Sequence, residues 1–300
     1  MLKGTYVFKQ GGIEIGRSEN LITTNGKNTI LQYLTNATSE WASAIAVGAL
    51  PTTPTVSDVN LKYELARTSV TLKSYISGTP NLIVVKGTLA STVVANIYEV
   101  GVFPLSTSQI FGTRDQYIVE DFSLINNWTT TIGTAYTTNA YAAQSPLSPR
   151  SGLYSINMTS SSTIKNVNES ISFSKYSTLD TLDILVNVPN GSTGALTVVF
   201  TDVNGNSYSF APSSYHFSNS SGSSVYQVLS ANLTAGLLAL STITSVSIAT
   251  TAAVTLDSLR VSVSSEMSAT TGLISRSVLS TPIAKVYGIP LDIEYFVQLS

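Results

Sequence analysis

Two stretches of the chain read as one interrupted element, although about 150 residues, roughly one domain's worth, lie between them. The first is Ile97-Tyr98-Glu99-Val100-Gly101-Val102-Phe103, followed by Ile110-Phe111-Gly112-Thr113-Arg114. The second is Leu273-Ile274-Ser275-Arg276-Ser277-Val278-Leu279, followed by Thr281-Pro282-Ile283-Ala284-Lys285 and the closing run Leu291-Asp292-Ile293-Glu294-Tyr295-Phe296-Val297. Each alone is a strand with its turn. Together, Phe111-Gly112-Thr113-Arg114 and Leu273-Ile274-Ser275-Arg276 mark the two sides of a break. The middle is then an inserted domain, and the outer pieces form a host domain that closes across it. This predicts a discontinuous domain over residues 1–118 and 266–300, interrupted by a second domain over 119–265.

Composition points to strands. Charged residues are 11% of the 300 and hydrophobic residues 43%, against ~25% charged in an ordinary soluble domain. Ser, Thr and Asn replace the missing charge, as suits polar strand faces and tight turns. Such a surface also suits packing against other protein copies. A net charge of −2 without a Lys/Arg cluster excludes a nucleic-acid footprint. The absence of cysteine excludes disulfides and thiolate chemistry. No run approaches the ~20 apolar residues of a membrane span, so no membrane insertion is expected. The opening Met1-Leu2-Lys3-Gly4-Thr5-Tyr6 lacks the apolar core of a secretory signal.

Along the chain, Thr5-Tyr6-Val7-Phe8, Gly11-Gly12 and Ile13-Glu14-Ile15-Gly16 form a hairpin, because Gly-Gly supplies the positive φ of a two-residue turn. Ile30, Leu31 and Leu34 fall at helical spacing after Gly26, predicting a short helix. Residues 41–48 read as a buried strand, and residues 61–69 as a second short helix or an extended arm. Residues 70–76 and 81–89 pair as strands around Gly78-Thr79-Pro80.

These elements carry a resemblance. Asn20-Leu21-Ile22-Thr23 with Gly26, Ile45-Ala46-Val47-Gly48, Leu61 with Glu64 and Arg67, and Tyr98-Glu99-Val100-Gly101-Val102-Phe103 come in this order, before an ending Leu273-x-x-Arg276, Thr281-Pro282-Ile283-x-Lys285, Leu291-Asp292-Ile293-x-Tyr295. The order resembles tailed-bacteriophage tail-fibre and tail-associated structural proteins. It implies a non-enzymatic virion component, assembled in the host cytoplasm and carried on the extracellular particle. Its partners would be other virion proteins and copies of itself.

Between residues 119 and 263 the chain turns to short strands and Ser/Thr/Asn-rich turns, about eight strands in all, a jelly-roll number. The segment opens with Asp121, Phe122 and Trp128 and carries Ser151-Gly152-Leu153-Tyr154-Ser155-Ile156. It turns at Asp202-Val203-Asn204-Gly205 and closes with Leu256-Asp257-Ser258-Leu259-Arg260-Val261. It resembles jelly-roll carbohydrate-binding modules. The fold class expected is therefore mostly β: a small β-rich host domain with one or two short helices, interrupted by an inserted jelly-roll β-sandwich.

That second resemblance implies candidate sites. Asp121 near the first strand and Asp257 on the last would approach each other and, with Glu120 and backbone carbonyls, hold a structural Ca²⁺. Alternatively, Asp257 caps a turn through backbone amides. A host-surface glycan would need exposed aromatic rings, for which Tyr136, Tyr141 and Trp128 are candidates, against core packing for each. Asp202-Val203-Asn204-Gly205-Asn206 reads as a hairpin turn rather than a calcium loop. His216 has no triad partners the sequence can place, and Asp180 with Asp183 has no aromatic cleft for glycoside cleavage. The expectation is a tail, baseplate or fibre component whose sandwich touches host glycans. The other readings are a capsid decoration protein and, third, a fibre-borne depolymerase.

Overall fold

The computed structural model describes residues 2–78, 82–104, 118–122, 124–141, 150–262 and 272–299. Among these the chain divides into two compact units, one of residues 2–104 and 272–299, the other of 118–141 and 150–262. Residues 110–114 lie outside the described residues, so that half of the interrupted element is not placed.

The first unit runs β1 (Leu2–Gln10), β2 (Ile13–Glu19), β3 (Leu21–Ile22), α1 (Thr24–Leu34), β4 (Ala44–Gly48), β5 (Glu64–Ile76), β6 (Leu82–Leu89) and β7 (Ala95–Phe103). The second unit contributes β8 (Ile118–Glu120), β9 (Trp128–Ile132), β10 (Thr137–Ala140), β11 (Tyr154–Met158), β12 (Ser162–Asn166), β13 (Thr181–Val188), β14 (Thr193–Asp202), β15 (Ser207–Phe210), β16 (His216–Ser218), β17 (Val225–Asn232), β18 (Ile243–Thr250) and β19 (Val254–Ser262). The chain then returns to the first unit with β20 (Ser275–Lys285) and β21 (Leu291–Leu299).

The first unit is one nine-stranded sheet in the order β2-β1-β21-β6-β5-β4-β7-β20-β3. Its two ends meet, because Asn20 alone separates β2 from β3. Ser18 and Ser277 hydroxyls hydrogen-bond at 2.6 Å, and the Ser277 hydroxyl donates to the Glu19 carbonyl at 2.5 Å. Gly16 lets β2 pass β20 closely, since a Cβ there would lie 2.5 Å from Ile283. The sheet thus closes on itself, which removes most of the open edge that a flat sheet would expose. Tyr6, Phe8, Ile45, Val47, Val85, Ile97, Ile293 and Tyr295 belong to the core. The Tyr6 and Tyr295 rings stack there at 4.6 Å.

Local sequence explains the elements it should. Gly11 and Gly12 both have positive φ in the β1–β2 turn, as the two-residue hairpin requires. Thr23 caps α1, its hydroxyl oxygen accepting from the Gly26 amide at 2.9 Å. Residues 61–69, left between a helix and an extended arm, take the extended alternative from Glu64 on, where they open the thirteen-residue β5. The reason is tertiary: β5 pairs with β4 on one side and β6 on the other.

The two sides of the insertion meet in a dry ionic network. Arg276 and Glu99 are fully buried and Asp58 nearly so, at 0%, 0% and 5% exposure. Arg276 Nε and Nη2 donate to Glu99 Oε2 at 2.9 and 2.7 Å, and Nη1 donates to Asp58 at 2.9 Å. Backbone amides of Tyr63 and Lys62 also donate to Glu99, at 3.0 and 3.1 Å. Burial pushes the Glu99 carboxyl up, and Arg276 opposes it. At Asp58 burial is outweighed by hydrogen bonds from Thr55, Lys62 and Arg276, which hold the carboxyl at about 2.

Removing one partner of such a network strands a buried charge, at a cost of about 3–5 kcal/mol. Arg276→Met is expected to destabilise the first unit by that amount. Urea unfolding read from buried Trp41 in a Trp128→Phe background checks it. A loss under about 1 kcal/mol, typical of solvated pairs, would contradict a dry network.

The second unit is a sandwich. One sheet has the order β10-β11-β19-β13-β17 with β8 beside β19; the other has β15-β14-β18-β12-β9 with β16 beside β14. Ile156, Leu182, Ile184, Val186 and Leu256 from the first meet Ile164, Val198, Phe200, Val246 and Ile248 from the second in one core. The fold is mostly β, with a jelly-roll-like sandwich in the middle of the chain.

Candidate functional site

Strand alternation sorts the first sheet of the sandwich into two faces. Leu182, Ile184, Val186 and Val188 of β13 enter the core, so Asp183, Leu185 and Asn187 face outward. A β-bulge between Leu185 and Val186 leaves Asp257 as the extra residue of β19. Pairing then aligns one outward row across five strands: Thr137 opposite Asn157, Asn157 opposite Thr255, Thr255 opposite Asn187, and Asn187 opposite Tyr226. With strands ~4.8 Å apart, the row is about 19 Å long.

Every member of this row bears a hydroxyl or an amide. Asn139 and Asn157 exchange two amide hydrogen bonds of 3.1 Å. Thr255 donates to Asn157 Oδ1 at 2.7 Å, and Asn157 Nδ2 donates to Thr137 at 3.2 Å. The Tyr226 hydroxyl donates to Asp257 at 3.2 Å, while the Arg150 guanidinium lies 3.8 Å from the centre of the Tyr226 ring. Two polar atoms of this face, Asn187 Oδ1 and Ser155 Oγ, are buried with no hydrogen-bond partner. An unsatisfied buried group costs about 1–3 kcal/mol.

The residues singled out from sequence fare differently. Trp128 is 2% exposed and packs in the core, 5.3 Å from the Phe122 ring. A ring buried on all sides offers no platform, so Trp128 is not a glycan contact. Tyr136 packs against the same core, and its hydroxyl donates to the Trp128 and Ile125 carbonyls at 2.8 and 3.1 Å. That tie makes it a brace of the β9–β10 turn rather than an offered ring. Tyr141 is half-buried, with its phenol pushed up to about 12 by burial. Its amide donates to the Leu153 carbonyl at 2.8 Å, extending the β10–β11 ladder. Alternation therefore puts Tyr141 on the face of Thr137 and Asn139. Tyr226, Asn157 and Asn187 were not singled out as a set. Only the pairing register aligns them.

The expected calcium set does not assemble. Asp257 accepts the backbone amides of Arg150 and Ser151 at 2.7 and 2.9 Å, the turn-capping alternative. Glu120 instead meets Glu169 in a side-chain hydrogen bond and accepts the Phe122 amide at 2.5 Å. Among the described residues, no group of three or more His, Cys, Asp or Glu is arranged for a metal. The donors around Asp257 occupy the oxygens a cation would need. Asp121, Asp257 and Glu120 are thus not one ligand set. At the 202–206 hairpin, Asp202 accepts the Asn204 and Asn206 amides, each at 2.9 Å, as a turn residue does.

No protein-family model matches the chain, and no curated protein matches it. Among solved structures, it is similar to a family 28 carbohydrate-binding module specific for non-crystalline cellulose, at 10% identity and a TM-score of 0.34, over 49% of this chain and 92% of that one. It is similar to a family 11 module from Clostridium thermocellum, at 12% and 0.32, over 49% and 95%. It is also similar to the enzymatically active domain of tailspike protein 4 of Bacteriophage CBA120, at 15% and 0.31, over 51% of this chain and 20% of that one. Likenesses this distant carry no argument about function.

The carboxyl contacts give the unit a pH signature. Burial pushes Glu120 up to about 8, and Glu169 beside it adds to the shift; burial also raises Glu169. Burial pushes Asp257 up to about 7, against its hydrogen-bond donors. The folded unit therefore keeps protons that the unfolded chain has released above an ordinary carboxyl pKa. The stability these three carboxyls contribute is fully present below about pH 4 and is lost as pH rises toward 8. The urea midpoint, read from Trp128 in a Trp41→Phe background, is expected to be lower at pH 8 than at pH 5.5. Glu169→Gln should narrow that difference, and a flat wild-type profile would refute the raised carboxyls.

Proposed function

We propose that this protein is a structural component of a tailed-phage particle, whose sandwich binds a hydroxyl-rich host-surface glycan on the outward polar row and does not cleave it. The observation that carries the binding reading is the row from Thr137 to Tyr226. It is a run of amides and hydroxyls, paired at Asn157 and Thr255, with one orphaned polar atom in the row, Asn187 Oδ1, and another on the same face, Ser155 Oγ. Planar amides and hydroxyls read sugar hydroxyls through paired hydrogen bonds, and an aromatic ring supplies the apolar C–H contact. Tyr226, oriented by Asp257, fills the latter role, and Tyr141 flanks the opposite end. The phage reading rests on the motif order of the first unit. Its signature residues Glu99 and Arg276 join in one buried network. A shallow site of this kind binds weakly alone and gains strength from many copies on one particle.

The test is binding of the full chain, displayed multivalently, to a glycan array and to host cells. Tyr226→Ala and Asn157→Ala are each expected to weaken binding about tenfold or more, the loss of one to two net hydrogen bonds or a ring contact. Wild-type binding by both variants would move the site off this face. A folded, multivalent protein that binds neither glycan nor cell would overturn the adhesive reading. Gold-labelled antibody on intact particles checks the location: label on the shell rather than the tail would favour a capsid decoration protein.

A further inference from the structure

Two hydroxyls of the outward row already have a direction. The Thr255 hydroxyl donates to Asn157 Oδ1 at 2.7 Å, and the Tyr226 hydroxyl donates to Asp257 at 3.2 Å. A hydroxyl carries one proton and two lone pairs. Toward a ligand, then, Thr255 and Tyr226 present lone pairs only. Asn187 stands between them in the pairing register, and its carboxamide can both donate and accept. This half of the row asks a ligand for donors.

The charges at the same face are paired with one another. Asp183, Asp257, Arg150 and Arg260 lie there at 5%, 0%, 9% and 7% exposure. Arg260 Nε sits 3.7 Å from Asp183 Oδ2, which the Ser262 hydroxyl also reaches, and the Ser230 hydroxyl donates to Asp183 Oδ1 at 2.6 Å. The Arg150 guanidinium attracts Asp257, which also accepts the Arg150 amide at 2.7 Å. Two anions, each beside a cation, bring no net charge to the face. The row itself, Thr137, Asn157, Thr255, Asn187 and Tyr226, adds none.

We infer that the row selects an uncharged glycan, taking sugar hydroxyls as donors at Thr255 and Tyr226 and rejecting carboxylate, sulfate and phosphate groups there. An ionised oxyanion has no proton to give. At this half of the row it would face two sets of lone pairs, with the Asp257 carboxylate behind Tyr226. It would also give up its water without gaining a counter-charge. A sugar hydroxyl meets the same groups as a donor and can accept from Asn187 in return. Such a site discriminates by leaving the wrong ligand unpaired, which costs more than one good contact gains. This selection rests on the glycan reading above and adds the charge class of the sugar.

The experiment presents the full chain, displayed multivalently, with matched glycans: neutral oligosaccharides, and oligomers of the same linkage that carry uronic acid or sulfate. It is run at pH 8, above the value of about 7 to which burial raises Asp257, so that Tyr226 keeps its acceptor. Neutral chains are expected to bind about tenfold more tightly or better than their acidic counterparts, with little change between about 50 and about 500 mM salt. Thr255→Val keeps the shape of the side chain and removes the acceptor, so it should narrow the preference about fivefold. Acidic chains that bind as well as neutral ones, and lose that binding in Tyr226→Ala, would overturn the charge selection and leave the site standing. So would a preference that Thr255→Val leaves unchanged. A folded wild type that binds neither set would overturn the glycan reading and the selection with it.

Discussion

The first unit depends on the fully buried guanidinium of Arg276. Arg276 arrives on β20, after the insertion, and its guanidinium finds Glu99 on β7 and Asp58 between β4 and β5, both encoded before it. A buried guanidinium without these carboxylates would be prohibitive, and the carboxylates without it nearly as costly. The network is therefore a register lock, compatible with one alignment of β20 against β7. The surrounding backbone follows the same join: the Ile274 amide donates to the Val102 carbonyl at 2.8 Å, and the Thr23 amide donates to the Ile274 carbonyl at 3.0 Å. Gly26 is required at the start of α1 because a Cβ there would lie 2.0 Å from the Ile274 oxygen.

This lock explains how the chain tolerates an interruption of domain size. The entropic cost of closing a loop grows only slowly with its length, so what matters is whether both ends of the inserted piece are already neighbours. In the first unit they are, since β7 and β20 pair. In the second they are as well, since β8 pairs with β19, Glu120 lying opposite Leu259. Each unit can complete its own core without the other.

In the second unit the apolar core and the polar face have the same origin. Period-two alternation sends Leu182, Ile184 and Val186 inward and, by the same geometry, Asp183 and Asn187 outward. The bulge at Asp257 turns a carboxylate toward the loop of Arg150 and Ser151 and places it beneath the Tyr226 hydroxyl. The large aromatics go mainly to the sandwich interior, as Trp128, Phe173 and Phe200 do. On the outer face the row from Thr137 to Asn187 is left to amides and hydroxyls, with Tyr226 at its end.

The sequence by itself determined the local chemistry. The Gly11-Gly12 hairpin, the helix after Thr23, the short alternating strands and the turn at Asp202 all follow from dihedral preference, capping and periodicity, which act within a few residues. The mostly β class followed for the same reason. The tertiary structure alone decided what side-chain type leaves open. Residues 64–69 became strand because β4 was there to pair with them. Trp128 went inside and Tyr226 outside although both are aromatic. Asp257 took backbone amides, while Glu120 met Glu169. The row from Thr137 to Tyr226 is assembled by the register of five strands spread over about 120 residues, and register is set by the bulges and core packing of the whole sheet.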